Sequence, residues 1–355
     1  ALAAGGTRFT NANCPSPICL PSRMSLLTGR MPGRQHCWTN RDILPSGVPT
    51  FAHSLGAAGY TPWLAGRMHS IGPDQMRGYT RREVGDHSPN WLGGQAHDLG
   101  PLTRANDPWR DSLTASGAGN SAYETYDNAV TEAAIQMLQD AGQRRSAGDA
   151  TPLALTVGWL LPHAPYVCSP DLYDSYSGRV PAPALPPPEN EHPHYHWWRS
   201  DRGIADAKPE EIDRARTAYY GLVETVDTQI ARVLAALKEA GLAETTLVVY
   251  ISDHGEHLGE RGLWWKSTLY DDSARVPLIV NGPGVTAGAT TDAVVNLTDL
   301  TATILDIAGA PALPGADGRS FRGLLSDTSL PWANRTYSEY VNDGAALWSG
   351  GREVI

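Results

Sequence analysis

The sequence predicts an α/β protein in which helices cover a layered sheet. Helical segments alternate along the chain with short apolar runs, a pattern typical of this fold class. The clearest helix begins at Pro209 and carries apolar residues at helical spacing as far as Gly241. The next apolar run, 247–251, leads directly into polar residues, which is the pattern expected of a central strand in such a sheet.

The other elements follow from the same patterns. We predict helices over 48–60, 123–143 and 299–308, and strands over 61–65, 153–161 and 276–280. The run 153–161 is apolar throughout, so we expect a central buried strand there. Gly, Asp, Pro and Ser dominate 91–121, which predicts a long surface loop, and the proline-rich stretch 180–198 predicts an irregular excursion, either a lid or an oligomer contact.

Length and composition set the broad class of the protein. The 355 residues suffice for one large domain, or for one domain with a smaller one attached. Hydrophobic residues make up 41% and charged residues 19%, which excludes a mostly disordered chain. The net charge of -10, with no basic patch to offset it, argues against a nucleic-acid partner. No stretch is long and apolar enough to cross a membrane, so no membrane partner is expected.

Four cysteines are present, and their spacing limits what they can do. They are Cys14, Cys19, Cys37 and Cys168. The spacings match no common zinc pattern, and four cysteines in a chain of this length do not indicate a disulfide framework.

One of these cysteines stands at the start of a predicted short helix. Pro21 suits the first helical turn, Ser22 can bond one of its free N–H groups, and Gly29 ends the helix. Cys19 would then lie at the positive end of the helix dipole, with Arg23 one turn further on the same face. Such a position suits the handling of an anion. An ordinary buried cysteine and an unmodified reactive thiol are the alternatives.

The stretch Cys19-Leu20-Pro21-Ser22-Arg23, with Leu27-Thr28-Gly29-Arg30 after it, closely resembles the signature of the type I sulfatases. In that family an enzyme oxidises the cysteine to formylglycine, whose hydrated aldehyde is the nucleophile. The resemblance implies catalytic roles for Cys19 and Arg23, and maturation by a formylglycine-generating enzyme. It also implies the alkaline phosphatase-like fold, in which a large mixed, mostly parallel sheet lies between helices.

A second matching stretch follows the strand at 247–251. Asp253 and His254 stand where parallel α/β sheets carry their ligands, and a carboxylate beside an imidazole can bind a divalent cation. A strand-end turn explains the pair equally well. The continuation 258–266 resembles the second metal-binding segment of sulfatases. This implies that Asp253 and His254 are metal ligands together with Cys19, and that Lys266 contacts the substrate or acts as general acid. The metal would be calcium, with magnesium or manganese as alternatives.

Two further stretches resemble family segments that bind the substrate. The stretch 160–165 resembles the segment whose histidine, here His163, contacts the sulfate ester. The stretch 65–75 resembles the Gly-Lys-x-His segment, particularly in choline-sulfatase-like members, and assigns Arg67 and His69 to substrate binding. Arg67 replaces the lysine and keeps its positive charge, but a guanidinium cannot donate and take up a proton as a catalytic lysine can. Asn40 falls where related enzymes carry a site asparagine.

The resemblance fails at one point. Sulfatases begin with a strand that ends in paired metal-binding aspartates, and nothing upstream of Cys19 supplies them. We therefore expect 1–310 to form the catalytic α/β domain without its first strand, and 311–355 to begin a truncated C-terminal subdomain. A cytoplasmic or a periplasmic location is equally compatible with the sequence.

The functional expectation is hydrolysis of small-molecule sulfate monoesters to alcohol and inorganic sulfate. The alternatives are hydrolysis of phosphonate monoesters or phosphodiesters, and a non-catalytic binding protein that retains the fold. Four tryptophans could line a pocket for the alcohol, although core or interface positions are the simpler interpretation: Trp197, Trp198, Trp264 and Trp265. The segment around His69 favours small-alcohol sulfates such as choline sulfate. A homo-oligomer is left open.

Overall fold

The computed structural model of the chain describes residues 1–87, 109–342, 345–350 and 353–354. Its α-helices are α1 Cys19–Thr28, α2 Pro32–Gln35, α3 Phe51–Ala57, α4 Arg110–Thr114, α5 Ala122–Ser146, α6 Pro170–Tyr176, α7 Pro193–Asp201, α8 Pro209–Glu239, α9 Asp271–Ala274, α10 Leu297–Ala308 and α11 Arg322–Ser326. Its strands are β1 Gly6–Asn13, β2 Thr61–Gly66, β3 Arg81–Glu83, β4 Gly117–Ala118, β5 Leu153–Gly158, β6 Val167–Cys168, β7 Val248–Ile251, β8 His257–Leu258, β9 Trp264–Trp265, β10 Arg275–Asn281, β11 Ala289–Thr291, β12 Val295–Asn296, β13 Tyr337–Asn342, β14 Ala345–Gly350 and β15 Glu353–Val354.

The largest sheet has five strands and mixed direction. Its order is β11-β1-β10-β7, and β12 also pairs with β1. Strand β10 is antiparallel to both neighbours, with Leu278 opposite Phe9 of β1 and opposite Ile251 of β7. Strands β11 and β12 run parallel to β1. The predicted α/β class with a mixed sheet is therefore confirmed.

A second, parallel sheet with the order β3-β2-β5 presents the ends of its strands to the site described below. Gly66 at the end of β2 pairs with Gly158 at the end of β5. The Gly158 carbonyl accepts a hydrogen bond from the N–H of Arg67 at 2.8 Å. A Cβ on Gly158 would lie 2.0 Å from the Arg67 carbonyl oxygen, so only glycine allows this approach. The contact fixes where Arg67 leaves the sheet.

Helices cover both faces of β2. Successive side chains of the strand point to opposite faces, so β2 contributes to a core on each side. Leu64 packs in a core shared with α1, α3 and α10. Trp63 and Ala65 pack in another core with α5 residues such as Val130. Both cores consist of apolar side chains whose burial stabilises the layers by about 25 cal/mol for each Å² removed from water. The predicted arrangement of a sheet between helices is thus present around this strand.

Most predicted elements are confirmed with small shifts at their ends, but the helix over 48–60 is shorter. It spans Phe51–Ala57, because the Thr50 side chain caps its first turn. Gly59, with φ of 88°, lies beyond its other end.

The expectation of a central buried strand over 153–161 is wrong. Strand β5 ends at Gly158, each of its residues is half-buried, and within the described residues it pairs only with β2. Strand β7 likewise lies at one end of its sheet, and its residues are also half-buried. The apolar residues Leu160 and Leu161 are buried in the turn after β5 instead.

Two irregular segments were predicted. Of the loop over 91–121, residues 91–108 lie outside the described part, and the remainder contains α4 and β4. The excursion over 180–198 is irregular only as far as 192, and then α7 begins. Three of the four tryptophans are core residues, as the simpler interpretation expected, while Trp197 is 41% exposed. Among the described helices, none combines the length and apolar character needed to cross a membrane.

Candidate functional site

Helix α1 places Cys19 at its first position. The helix begins two residues earlier than Pro21, and its N-cap Ile18 supplies no side-chain hydrogen bond. The side-chain oxygen of Asn40 accepts the N–H of Leu20 at 2.9 Å instead. Gly29, with φ of 67°, ends the helix as predicted.

The predicted capping role of Ser22 is wrong. Its hydroxyl donates to the Asp253 carbonyl oxygen at 2.5 Å and ties α1 to the turn after β7. The bond holds the cysteine-bearing helix against the segment with the predicted metal ligands.

The Cys19 side chain is 2% exposed and faces a ring of basic groups. Its Sγ lies 3.2 Å from Nε2 of His254, and His69 and His163 are also within hydrogen-bonding reach. Burial raises the pKa of the thiol, but the charges of Lys266 and His254 outweigh burial and bring the pKa well below its usual value. An anion at position 19 is therefore stabilised.

Asp253 and His254 follow β7 and face α1. One oxygen of Asp253, Oδ2, accepts a hydrogen bond from Arg23 Nε at 2.7 Å. Burial disfavours the carboxylate, yet Arg23 and His254 outweigh it and lower the pKa of Asp253. Nδ1 of His254 lies 2.8 Å from the Gly255 carbonyl oxygen, which turns Nε2 toward Cys19. Burial also disfavours imidazolium, but Asp253 and Cys19 raise the pKa of His254 to about 9.

Cys19, Asp253 and His254 could hold a metal ion, since each offers a ligand atom and these atoms lie within 4.8 Å of one another. A hard divalent cation prefers oxygen to the soft sulfur of a cysteine. Conversion of Cys19 to formylglycine would replace that sulfur by oxygen, and the set would then fit calcium or magnesium. Three groups are only part of the six to eight ligands that Ca²⁺ takes.

Lys266 and His163 approach each other from different segments. Nζ of Lys266 and Nε2 of His163 lie 3.0 Å apart. Nδ1 of His163 lies 2.7 Å from the Ala164 carbonyl oxygen and donates to it, which leaves Nε2 to accept from the ammonium. Lys266 is 5% exposed. The pair thus holds an ammonium group beside Cys19 in a site with little water.

Arg67 and His69 enter from the end of β2. Nη2 of Arg67 donates to Nδ1 of His69 at 3.0 Å. Nη1 of Arg23 donates to the Arg67 carbonyl oxygen at 3.0 Å, so the two arginine segments are joined. Burial and the charge of Arg67 lower the pKa of His69, which keeps its imidazole neutral. Arg67 is 5% exposed and brings its positive charge into the interior of the site.

Two carboxylates that position these groups were missed from the sequence. Asp86 accepts the N–H groups of Met68 and His69 on one oxygen and that of Ser70 on the other, at 2.9, 2.8 and 3.2 Å. Asp127 accepts the N–H groups of residues 160 and 161 and so holds the turn that carries His163. Neither aspartate belongs to a recognisable motif, because its partners are backbone groups of distant segments.

Replacing Asp86 with alanine is expected to lower the free energy of unfolding by about 3–5 kcal/mol, because Arg82 would lose its buried partner. Burial opposes ionisation of Asp86, but Arg82 and the His69 N–H outweigh it and lower the pKa to about 2. Its stabilisation is therefore present above about pH 4 and is lost as the pH falls through about 2. Between pH 5 and pH 3, titration of Asp86 should lower the free energy of unfolding of the wild type by about 1 kcal/mol. The variant lacks this contribution. Urea unfolding at several pH values measures both effects.

The matched control is Asp140→Ala on α5, which removes the partly exposed pair with Arg81. It should cost less than about 1 kcal/mol. Equal losses for the two variants would contradict the buried role of Asp86.

The fold therefore brings the predicted residues together from five segments of the chain. They are Cys19, Arg23, Arg67, His69, His163, Asp253, His254 and Lys266. Asn40 also lies beside Cys19, but its side-chain oxygen accepts a hydrogen bond from the N–H of Leu20 in the first turn of α1. The catalytic, substrate-binding and metal-binding roles of these residues stay predictions.

Comparison with known sequences identifies the family of the chain. The sequence model of the Sulfatase family matches residues 1–310. The choline-sulfatase of Rhizobium meliloti (strain 1021) is 34% identical over 318 residues, which cover 87% of this chain and 62% of that protein. Arylsulfatase K of Danio rerio is 28% identical, and the match covers 94% of this chain and 65% of that protein. The chain thus spans somewhat less than two thirds of the length of these relatives.

Solved structures show the same fold. The phosphonate monoester hydrolase SpPMH from Silicibacter pomeroyi superposes with a TM-score of 0.74 at 27% identity, over 96% of this chain and 73% of that chain. The 2-O GAG sulfatase BT1596 superposes with a TM-score of 0.71 at 20% identity, over 99% of this chain and 74% of that chain. Given the family match over most of its length and the similarity to choline-sulfatase, the chain belongs to the sulfatase family.

Proposed function

We propose that the protein hydrolyses sulfate monoesters to an alcohol and inorganic sulfate. The observation that carries the proposal is the buried cluster in which Cys19 faces His254, Lys266 and two further imidazoles. Oxidation of Cys19 by a formylglycine-generating enzyme would supply a hydrated aldehyde, with one hydroxyl for attack on sulfur and a second for release of sulfate. A divalent metal, when bound by Asp253, His254 and position 19, would supply positive charge next to the sulfuryl oxygens.

The side chains of the site suit an anionic ester. Attacking and leaving oxygens both gain negative charge near an anionic group, so the site must concentrate positive charge where water is scarce. Arg67 is buried and brings its positive charge into the site, where its Nη2 donates to Nδ1 of His69. Arg23 is instead bound to Asp253, so its charge is partly compensated. Arg67 is therefore the group assigned to the sulfate oxygens.

The Lys266–His163 pair is assigned to the leaving alcohol. The ammonium lies 3.0 Å from Nε2 of His163, so a proton can pass between them and on to the ester oxygen. Arg67 cannot take this role, because a guanidinium keeps its protons at any ordinary pH. Lys266 and His163 are therefore assigned to proton donation to the leaving alcohol.

The remaining metal ligands would arrive on a further strand between β5 and β7. Leu155 of β5 and Val248 of β7 pack against the same buried residues of α5 and α8, and all residues of both strands are half-buried. Such edges can accept a strand, and the paired aspartates implied by the resemblance would stand at its end. Slow hydrogen exchange of the amides along both edges in this chain alone would contradict this arrangement.

The test is a side-by-side assay of protein produced with a formylglycine-generating enzyme and calcium. We expect kcat/KM for 4-nitrophenyl sulfate to exceed that for the matching phenylphosphonate ester, and mass spectrometry to detect the aldehyde at position 19. The similarity to SpPMH makes a phosphonate monoester hydrolase the second candidate, and the reverse preference would favour it. An intact thiol in protein from the native host, with no turnover of either ester, would favour a binding protein.

A further inference from the structure

Tyr166 links two segments of the site and has no role in the mechanism above. It lies three residues after His163, and its side chain is 0% exposed. Its hydroxyl donates a hydrogen bond to Oε1 of Glu256, which lies two residues after His254. A buried tyrosine hydroxyl generally requires such a partner. The bond therefore joins the turn assigned to the leaving alcohol to the turn that carries the predicted metal ligands.

The ring of Tyr166 contacts a third segment. It packs against Trp264, with the two ring centroids 6.3 Å apart, and Trp264 lies two residues before Lys266. The Tyr219 ring of α8 makes an edge-on contact with it, with centroids 5.3 Å apart. The three rings pack in the same core, so the Tyr166 ring is held in place whether or not its hydroxyl is present.

Backbone hydrogen bonds fix the chain on both sides of this link. The N–H of Tyr166 donates to the Ser116 hydroxyl oxygen at 3.0 Å, and its carbonyl oxygen accepts from the N–H of Gly117 at 2.8 Å. On the other side, the N–H of Gly255, the residue before the glutamate, donates to the Ser273 carbonyl oxygen at 2.7 Å. A hydrogen bond between two segments that are each held in this way sets the distance between them.

We propose that Tyr166 is a positioning residue, whose hydrogen bond to Glu256 holds His163 where it can donate a proton to the leaving alcohol. The inference rests on the proposed sulfatase activity and adds a residue that acts through His163. A general acid must lie within about 2.6–3.2 Å of the atom that takes its proton. Without the hydroxyl, the turn of His163 would be free to shift, and proton donation would suffer more than the attack on sulfur, in which His163 is assigned no part.

The test removes the hydroxyl and keeps the ring. In Tyr166→Phe, produced with a formylglycine-generating enzyme and calcium, we expect kcat for cyclohexyl sulfate to fall about 10-fold, since a shift of about 1 Å can cost about 100-fold. KM should change less than about 2-fold, because no contact with the ester is removed. The loss on 4-nitrophenyl sulfate should also stay below about 2-fold, because that phenolate leaves almost without a proton. Steady-state rates on both esters give the ratio of the two losses.

Variants of the glutamate test whether the hydrogen bond carries the effect. Glu256→Gln retains an oxygen that can accept from the hydroxyl and should keep most of the rate on cyclohexyl sulfate. Glu256→Ala should resemble Tyr166→Phe, and the double variant should lose no more than either single one, because all three remove the same bond. The matched control is Tyr176→Phe, at an exposed pair in which the Tyr176 hydroxyl donates to Glu224 at 2.7 Å, and it should leave both rates unchanged.

The outcomes separate this inference from the proposed function. Hydrolysis of neither ester by matured wild-type protein would remove the proposed function itself. Equal losses on the two esters in Tyr166→Phe, or no loss on either, would overturn the positioning role of Tyr166 alone. The thermal unfolding midpoint identifies a variant that fails to fold. If Tyr166→Phe does so, the two Glu256 variants decide, and the same ratio of alkyl to aryl rates in both would overturn the proposal.

Discussion

Cys19→Ala is expected to lower kcat/KM for sulfate esters by at least about 10³-fold, the largest effect of any single substitution in this protein. Alanine has no group that can become the hydrated aldehyde, so the proposed nucleophile and one proposed metal ligand are lost together. The fold should survive, because alanine fits at the first position of α1 and, among the described residues, no backbone group is hydrogen-bonded to the Cys19 side chain. Initial rates with 4-nitrophenyl sulfate measure the loss.

Cys37→Ala is the matched control. Cys37 is also buried and free, and burial raises the pKa of its thiol to about 12, so it is inert. This variant should keep its activity and lose only about 1 kcal/mol of stability to the small cavity. If Cys19→Ala retained more than a few per cent of wild-type activity, position 19 would not supply the nucleophile.

The elements around the site could be predicted because short stretches carry the information. Pro21 indicates the first turn of the helix that carries Cys19, and Gly29 indicates its end. The strand before Asp253 is a short apolar run. Residue types at fixed offsets in four stretches predicted the candidate site residues, and the fold brings these residues together from five segments. Local sequence was sufficient for most of these residues, because they lie in or directly after a helix or strand that their own segment specifies.

The end of β5 could not be predicted, because apolar residues in a strand and in a buried turn look alike. Leu160 and Leu161 are buried in the turn, and the distant carboxylate of Asp127 accepts their N–H groups. That carboxylate replaces the hydrogen bonds that a strand would provide. Nothing in the run 153–161 indicates these hydrogen bonds, because Asp127 lies more than thirty residues earlier in the chain.

Asp86 was missed for the same reason. It binds three consecutive backbone N–H groups, which any sequence can offer, and its choice of partners depends only on how β2 and β3 pair. The parallel register places Glu83 beside Ala65, so the residues that follow both strands meet. Carboxylates that bind the backbone of a distant segment can be recognised only when the pairing of the strands is known.

Lys266→Met should lower kcat about 10²- to 10³-fold for an alkyl sulfate and much less for 4-nitrophenyl sulfate. Methionine keeps the length of the side chain but removes the ammonium that lies 3.0 Å from Nε2 of His163. An alkoxide is a poor leaving group and needs a proton in the transition state, whereas 4-nitrophenolate leaves almost without help. His163→Asn should show the same dependence on the leaving group, because both residues are assigned to delivery of the same proton.

The chain offers a matched control in Lys238, an exposed lysine in the last turn of α8, and Lys238→Met should leave both rates unchanged. Lys266→Arg separates charge from proton transfer, since arginine keeps the positive charge but holds its protons. We expect this variant to resemble Lys266→Met on the alkyl ester and the wild type on the aryl ester. A loss of equal size on both esters for Lys266→Met would instead assign Lys266 to binding of the sulfate group, because that contact is common to the two substrates.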